Sequence, residues 1–218
     1  MDWILLLTSM GIAIVADLYV RGTYKSMSKV KNTKNVTGQE VAQKILKDNQ
    51  VNVYVVETQG VMSDHYDGSR KVVRLSPKVF NDTSIASIAI AAHEAAHAIQ
   101  DKDGYGPLKI RSMIAPIAGF ASSVSYIAII IGILARSLDF LYVGIGLLLL
   151  VLLFQLITLP VEFNASAKAK SELEKLNLVN AKEKGLVDKM LKAAAFTYVA
   201  SVITAILEIV RLVLISRD

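Results

Sequence analysis

Long apolar runs alternate with polar stretches along this chain, and the runs are long enough to cross a lipid bilayer. They occupy residues 3–20, 112–161 and 193–215, and the second is interrupted by a short polar connection. A membrane-spanning helix needs about 20 mostly apolar residues. The pattern therefore predicts about four transmembrane helices: an anchor, a hairpin of two and a final span. In the last run, Glu208 and Arg211 are three residues apart, which predicts an ion pair on one helix face.

The stretch between the first two apolar runs, residues 37–111, has the mixed pattern of a soluble domain. Thr37 and Glu40 have the spacing of a capping box and precede apolar positions at helical intervals, so we expect a helix there. Residues 51–56 and 71–75 are rich in β-branched side chains and are separated by a turn-rich stretch. They predict two strands of a small antiparallel sheet.

A further helix is predicted to follow the sheet. Residues 81–83 supply a capping signal, and apolar positions at helical spacing continue to residue 92. A polar stretch at 100–104 ends this helix well short of a membrane span. A second polar helical region, residues 160–192, follows the hairpin and mixes lysines with acidic residues. The predicted fold is thus mainly α with a small antiparallel β-sheet.

Composition supports a membrane protein and suggests its orientation. The chain has 53% hydrophobic and 20% charged residues, with a mean hydropathy of +0.46. Of the 24 lysines and arginines, all but Arg136, Arg211 and Arg217 lie in residues 21–111 and 160–192. Positive charge favours the cytoplasmic side, so we expect a multi-pass cell-membrane protein with these segments in the cytoplasm and the N-terminus outside. No basic region precedes the first span, which favours an anchor over a signal peptide.

The same composition excludes several function classes. The chain has a net charge of +5, but its basic residues are not interleaved with aromatic residues. We therefore expect no nucleic-acid partner. We interpret the basic residues, which flank the predicted spans, as determinants of membrane topology, and the lipid membrane as the expected partner. The chain has no cysteine, which excludes disulfides, thiolate ligands and a cysteine nucleophile. A metal site would have to use nitrogen and oxygen ligands.

The candidate chemistry lies in the helix that follows the sheet. It contains the sequence His93-Glu94-Ala95-Ala96-His97, with two of the three histidines of the chain. Residues four apart share a helix face, so His93 and His97 can bind one Zn²⁺ ion, while Glu94 can act as a general base. The alternative is a pair of surface histidines beside a glutamate. We expect one hydrolytic zinc site per chain. The predicted strand at 71–75 would either offer its edge to an extended substrate next to this site or be purely structural.

A catalytic zinc ion needs a third protein ligand. Glu162 is the first candidate because it is the first charged residue after the predicted hairpin, which returns the chain to the side of the motif. His65 is the second candidate, in the predicted loop between the strands. His65 or Tyr66 could instead stabilise an oxyanion, and His65 could equally be an ordinary exposed residue.

The chain resembles the YugP-like family of membrane-bound neutral zinc metallopeptidases, and more distantly the HtpX proteases and the CAAX prenyl endopeptidases. Besides the N-terminal anchor, the matching stretches are residues 37–46, 63–80, 91–101, 104–112, 160–169 and 193–201. The resemblance implies a gluzincin-like catalytic domain with His93, His97 and Glu162 on zinc and Glu94 as base. Related proteases often carry an aspartate four residues after the glutamate ligand, where this chain has Ser166, so support for the metal-bound histidines should differ.

These features predict an endopeptidase that uses a metal-activated water at the cytoplasmic membrane face. Its expected substrates are peptides or proteins, in particular membrane or misfolded proteins, the latter by analogy with HtpX. The alternative is a catalytically silent membrane adaptor or chaperone with a structural zinc site, which the intact Glu94 disfavours. Cleavage inside the membrane is disfavoured by the polar flanks of the motif. The sequence predicts no oligomeric state.

Overall fold

A computed structural model describes residues 2–217, which are mostly helical. The helices and strands in chain order are α1 (Asp2–Met27), α2 (Gly38–Asp48), β1 (Tyr54–Glu57), β2 (His65–Asp67), β3 (Val72–Leu75), α3 (Pro77–Asn81), α4 (Ile85–Lys102), α5 (Gly106–Leu134), α6 (Leu138–Lys175) and α7 (Ala181–Ile215). The chain divides into two compact units.

The first unit contains the apolar runs. It comprises the described residues up to Leu18, Gly106–Pro160 and the described residues from Phe196. Four helices of the described chain, α1, α5, α6 and α7, are long and apolar enough to cross a membrane, which confirms the predicted number. In this unit α5 and α6 pack closely: a Cβ on Gly132 would lie 2.8 Å from the backbone nitrogen of Leu141. Small residues permit such close helix contacts in membrane proteins.

The predicted ion pair in the last span is also present. Arg211 donates hydrogen bonds to both carboxylate oxygens of Glu208, at 2.9 and 2.5 Å. Both side chains are largely shielded, with 14% and 22% exposure for Arg211 and Glu208. A charge in an apolar span is costly unless it is paired, so this contact satisfies both groups within one helix.

The second unit comprises Tyr19–Tyr105 and Val161–Ala195, and α4 lies at its centre. Nearly every residue of α4 from Ile85 to Gln100 is buried, on all faces of the helix. A helix that is apolar all round belongs in a core, and the many alanines of α4 let neighbouring elements approach it closely. The two histidines of the motif are therefore carried by the most enclosed helix of this unit.

Helix starts in this unit follow local hydrogen bonding. Thr37 caps α2, and its capping box with Glu40 is present as predicted. Helix α4 begins later than the capping signal at 81–83 indicated, because the Ser84 side chain accepts the hydrogen bond from the backbone N–H of Ser87. Asp82 is instead paired with Lys31. With Asp82 paired to Lys31, Ser84 is the residue that caps α4.

The sheet has three strands and is mixed, so the prediction of an antiparallel sheet is wrong. The strand order is β1-β3-β2. β2 is a three-residue strand in the stretch predicted as a loop, and a tight turn folds β3 back against it in antiparallel register. β2 therefore occupies one edge of β3, and β1 adds to the other edge in parallel, with Tyr54 opposite Val72.

The polar region predicted at 160–192 contains parts of two helices. α6 continues without a break from its apolar part to Lys175, and α7 begins at Ala181. Asn180 caps α7, accepting from the backbone N–H groups of Lys182 and Glu183. The predicted segment boundaries at 3–20, 37–111, 112–161, 160–192 and 193–215 stay a prediction about domain organisation.

Candidate metal centre

Two helices of the second unit contribute the candidate ligands. α4 presents His93 and His97 on one face, one turn apart, with ring centroids 4.7 Å apart and ring planes at 85°. α6 contributes Glu162. It lies two residues after Pro160, which has no backbone N–H to donate a hydrogen bond within the helix. His93, His97 and Glu162 each have a ligand atom within 4.8 Å of the others.

The three side chains converge on one carboxylate oxygen. Oε2 of Glu162 lies 3.1 Å from Nε2 of His93 and 3.7 Å from Nε2 of His97. Two donors that are each about 2.0–2.1 Å from a tetrahedral zinc ion lie roughly 3.3 Å from each other. The observed separations bracket that value. The nitrogen and oxygen donors present thus fit a zinc ion in both chemistry and spacing.

Burial of the cluster is uneven, which matters for access. The side chains of Glu162 and His97 are 2% and 8% exposed, whereas that of His93 is 14% exposed. Solvent therefore reaches the cluster from the His93 side. A catalytic zinc site needs one open coordination position beside its three protein ligands, and this uneven burial is compatible with that need.

The other ring nitrogen of each histidine faces a neutral polar side chain. Nδ1 of His97 lies 2.9 Å from Oε1 of Gln100 in the buried interior. Nδ1 of His93 lies 3.4 Å from Oγ of Ser166, a much longer contact. Ser166 thus stands beside a candidate ligand, at the position where related proteases often have aspartate. Both histidines direct Nε2, and not Nδ1, towards Glu162.

The electrostatics of the cluster favour an ionised Glu162. Burial alone would raise the pKa of Glu162, but hydrogen bonds from His93 and His97 hold that pKa well below its usual range. Burial alone would lower the pKa of His97, but its hydrogen bond to Glu162 and the charges of Glu94 and Glu162 raise that pKa. The carboxylate is therefore in the ligand form, and a metal ion would compete with a proton for His97.

The glutamate of the motif lies in the same enclosed region. Glu94 is buried, with 8% of its surface exposed. Its charge is close enough to raise the pKa of Asp64, although burial is the larger cause of that increase. Asp64 accepts hydrogen bonds from the backbone N–H and the hydroxyl of Ser76, at 2.7 and 3.0 Å. Two acidic side chains, Glu94 and Asp64, thus lie close enough for their charges to interact.

His65 lies outside the three-residue cluster. It is exposed on β2, and its Nδ1 lies 2.8 Å from the backbone oxygen of Ser63. The hydroxyl of Tyr66 donates to Asp101 at 2.6 Å, so it is directed to the end of α4. The cluster has Glu162 as its carboxylate, and the oxyanion role of His65 or Tyr66 stays a prediction.

The strand expected to offer an edge is not available for that purpose. β3, the predicted strand at 71–75, is the central strand and pairs with β1 on one side and β2 on the other. Its backbone groups are therefore already used in the sheet. Of the two alternatives for residues 71–75, the structure supports a purely structural strand and not a substrate-binding edge. The covering strand β2 was not predicted because three residues are too few for a pattern of alternating side chains.

Two residues near the cluster, Gln100 and Asp64, were not among the site residues predicted from the sequence. Gln100 follows His97 by three residues, and the i, i+3 spacing on a helix was a signal that could have identified it. Asp64 carries no such signal, since it is 30 residues from Glu94 in the sequence and only the fold brings their charges near each other. Local spacing thus reveals the neighbours within α4 and not those from the sheet.

The comparisons with known proteins agree with this geometry. A family described as "Putative neutral zinc metallopeptidase" matches residues 2–217. The "Putative membrane protease YugP" of Bacillus subtilis (strain 168) is 40% identical over 212 residues, which cover 97% of this chain and 94% of that protein. No solved structure gives a significant match.

Proposed function

This chain belongs to the family of neutral zinc metallopeptidases, and we propose that it is a membrane endopeptidase of the HExxH gluzincin type. The observation that carries the proposal is the convergence of His93, His97 and Glu162 within 4.8 Å. Two imidazoles and one carboxylate are a recurrent ligand set of zinc hydrolases. The relative from Bacillus subtilis, whose name describes a membrane protease, supports the same reading.

Each residue of the proposed site has a distinct task. His93 and His97 would hold zinc through Nε2, and Glu162 through a carboxylate oxygen. When bound, zinc supplies the Lewis acidity that hydrolysis of an amide requires. The low pKa of Glu162 keeps this ligand ionised, so that it carries one negative charge at the site.

Glu94 is the proposed general base. As the water oxygen adds to the substrate carbonyl carbon, Glu94 takes a proton from that water, and it later delivers the proton to the leaving amine nitrogen. The C–N bond then breaks without a covalent intermediate. The position of Glu94 supports this role, since it directly follows His93 in the motif and its side chain is buried in the same unit as the cluster.

The substrates and the location of the enzyme are part of the same proposal. We propose that the enzyme cleaves membrane proteins or misfolded proteins at the cytoplasmic face of the membrane. Four apolar helices support membrane embedding. The concentration of lysines and arginines in residues 21–111 and 160–192 supports a cytoplasmic position for the second unit.

The proposal is tested on the full-length protein purified in detergent. Zinc per chain is measured by mass spectrometry, and cleavage is measured on casein and on an unfolded membrane protein. We expect about one zinc per chain, and a rate in Glu94→Gln that is lower by at least about 10²-fold, as expected for loss of a general base. Zinc content in this variant should stay unchanged, because Glu94 is not a ligand.

Glu174→Gln is the matched control, since Glu174 is exposed on α6 and pairs only with Lys184 among the ion pairs described. It should retain both zinc and cleavage. Zinc bound at full stoichiometry with no cleavage in either wild type or Glu94→Gln would instead favour an adaptor or chaperone with a structural zinc site. Cleavage that is equal in wild type and Glu94→Gln would contradict the proposed base.

A further inference from the structure

Gln100 links the two helices that carry the candidate ligands. It is fully buried on α4, with no exposed surface, and lies one turn after His97. Its amide nitrogen donates to the backbone oxygen of Val161 and to Oδ1 of Asn164, both at 2.9 Å. Its amide oxygen lies 2.9 Å from Nδ1 of His97. Every polar atom of this buried side chain is therefore engaged.

The backbone carbonyl of Val161 fixes the orientation of this amide. A carbonyl oxygen only accepts hydrogen bonds, so the group that faces it must be the NH₂ of Gln100. The amide oxygen of Gln100 consequently faces His97, and an oxygen of this kind can only accept. Nδ1 of His97 must then carry the proton, and in the neutral ring the lone pair is on Nε2.

We propose that Gln100 is a positioning residue that sets His97 in its metal-binding tautomer and orients the ring towards Glu162. This inference rests on the proposed zinc site. Carboxylates and backbone carbonyls commonly support metal-bound histidines from their second nitrogen, and loss of such a partner typically lowers metal affinity about 10–100-fold. Here the support comes from a neutral amide on the same helix.

The contrast with His93 strengthens this assignment. The group near Nδ1 of His93 is the hydroxyl of Ser166 at 3.4 Å, and a hydroxyl can either donate or accept. Ser166 therefore does not determine which nitrogen of His93 carries a proton. Of the two candidate histidine ligands, only His97 has a short contact that fixes its tautomer.

Gln100 also connects His97 to the chain that bears the third ligand. Val161 directly precedes Glu162, and Asn164 follows it by two residues. One amide thus contacts His97 on α4 and the turn of α6 around Glu162. A change that removes its hydrogen bonds should disturb the spacing of two ligands together, while His93 keeps its own contact.

Gln100→Met tests the proposal because methionine has a similar length and makes no comparable hydrogen bonds. Zinc affinity is measured by chelator competition in detergent, beside wild type, His93→Ala and the matched exposed change Gln43→Met. We expect affinity about 10–100-fold weaker for Gln100→Met and unchanged for Gln43→Met. A loss smaller than about threefold in folded Gln100→Met would overturn the proposal.

Gln100→Glu separates positioning from simple packing. Glutamate keeps an acceptor for His97 but loses the NH₂ group that faces Val161. We expect its zinc affinity to fall below that of wild type, because the NH₂ hydrogen bonds are lost, but to stay clearly above that of Gln100→Met, because the acceptor for His97 is kept. A role only in joining the helices predicts the reverse order, because a carboxylate against the Val161 carbonyl is the worse substitution.

A second readout does not depend on zinc. The chain has three histidines, so ¹⁵N-histidine labelling gives few signals, and His65→Ala assigns one of them. In the metal-free protein, we expect a slowly exchanging Nδ1 proton on His97 in wild type and Gln100→Glu, and its loss in Gln100→Met. Its persistence in Gln100→Met would refute the proposal. If wild type bound no zinc, the proposed function would fail, and this signal would still decide the role of Gln100.

Discussion

Nε2 of His93 lies 3.1 Å from Oε2 of Glu162, although 69 residues of sequence separate them. The intervening chain includes two long apolar helices, α5 and the first part of α6. The candidate site is therefore complete only when α6 brings its Glu162 turn against α4. The contact depends on long-range folding as well as on the local spacing of the motif.

Removal of the proposed carboxylate ligand, Glu162, should abolish stable zinc binding. We expect Glu162→Gln to lower zinc affinity by more than about tenfold. Mutation of a residue that only hydrogen-bonds to a metal ligand already has an effect of that size. His65→Ala should retain the full zinc content, because His65 is exposed on β2 and outside the cluster. Zinc per chain after dialysis is the measurement. The opposite pattern, with zinc lost in His65→Ala and kept in Glu162→Gln, would reject the ligand set.

The three residues of the cluster could be predicted from the sequence, for two different reasons. His93 and His97 follow from helical spacing alone. Glu162 follows from counting membrane spans, because a hairpin must return the chain to the side from which it left. Ser166 contacts His93 through the packing of α6 against α4, whereas Gln100 contacts His97 within α4 and had a local signal.

The sheet was harder to predict than the helices. The Thr37 capping box is a local device, and the structure contains it. Strand direction depends instead on which segments meet at β3, and the short β2 determines that arrangement. The predicted strands at 51–56 and 71–75 overlap β1 and β3, but they pair in parallel because the chain reverses direction twice between them, once before and once after β2.

Gly38 should not tolerate a side chain. A Cβ at this position, at the start of α2, would lie 2.1 Å from the backbone oxygen of Val79. Because backbone atoms must move to relieve the clash, we expect Gly38→Ala to lower the free energy of unfolding by about 1–3 kcal/mol or more. Thermal unfolding in detergent, followed by circular dichroism, measures this loss.

Gly185→Ala provides the control for this glycine. A Cβ at Gly185, within α7, would meet nothing within 4 Å. Alanine is favoured over glycine in a helix interior by about 1 kcal/mol, so this variant should be slightly more stable than wild type. Equal effects of the two changes would contradict the close approach of α2 to Val79.

Asp64 should make stability depend on pH in a defined direction. Burial, and to a lesser extent the charge of Glu94, raises the pKa of Asp64 above its ordinary 3.8. The folded state therefore disfavours the ionised carboxylate, and its relative stability is lost as pH rises through the folded-state pKa. We expect Asp64→Asn to gain stability relative to wild type as pH increases from below 3.8 towards neutrality. Unfolding midpoints at several pH values measure this difference.

Asp82→Asn should show the opposite trend and serves as the comparison. Burial alone would raise the pKa of Asp82, but hydrogen bonds from Lys31, Ser84 and the backbone N–H of Thr83 together outweigh burial and lower that pKa. Wild type should therefore gain stability relative to Asp82→Asn as pH rises from acidic values. The same trend in both variants would show that the pH dependence does not come from these carboxylates.

The orientation in the membrane can be tested by labelling, because the chain contains no cysteine of its own. The distribution of lysines and arginines predicts that the second unit is cytoplasmic and that the α5–α6 connection is outside. A membrane-impermeant maleimide should label Ala135→Cys in intact cells, since Ala135 is exposed in that connection. It should label Ser69→Cys, exposed in the β2–β3 turn, only after the membrane is permeabilised. Labelling of Ser69→Cys in intact cells would place the candidate metal centre on the outer side and would reverse the proposed topology.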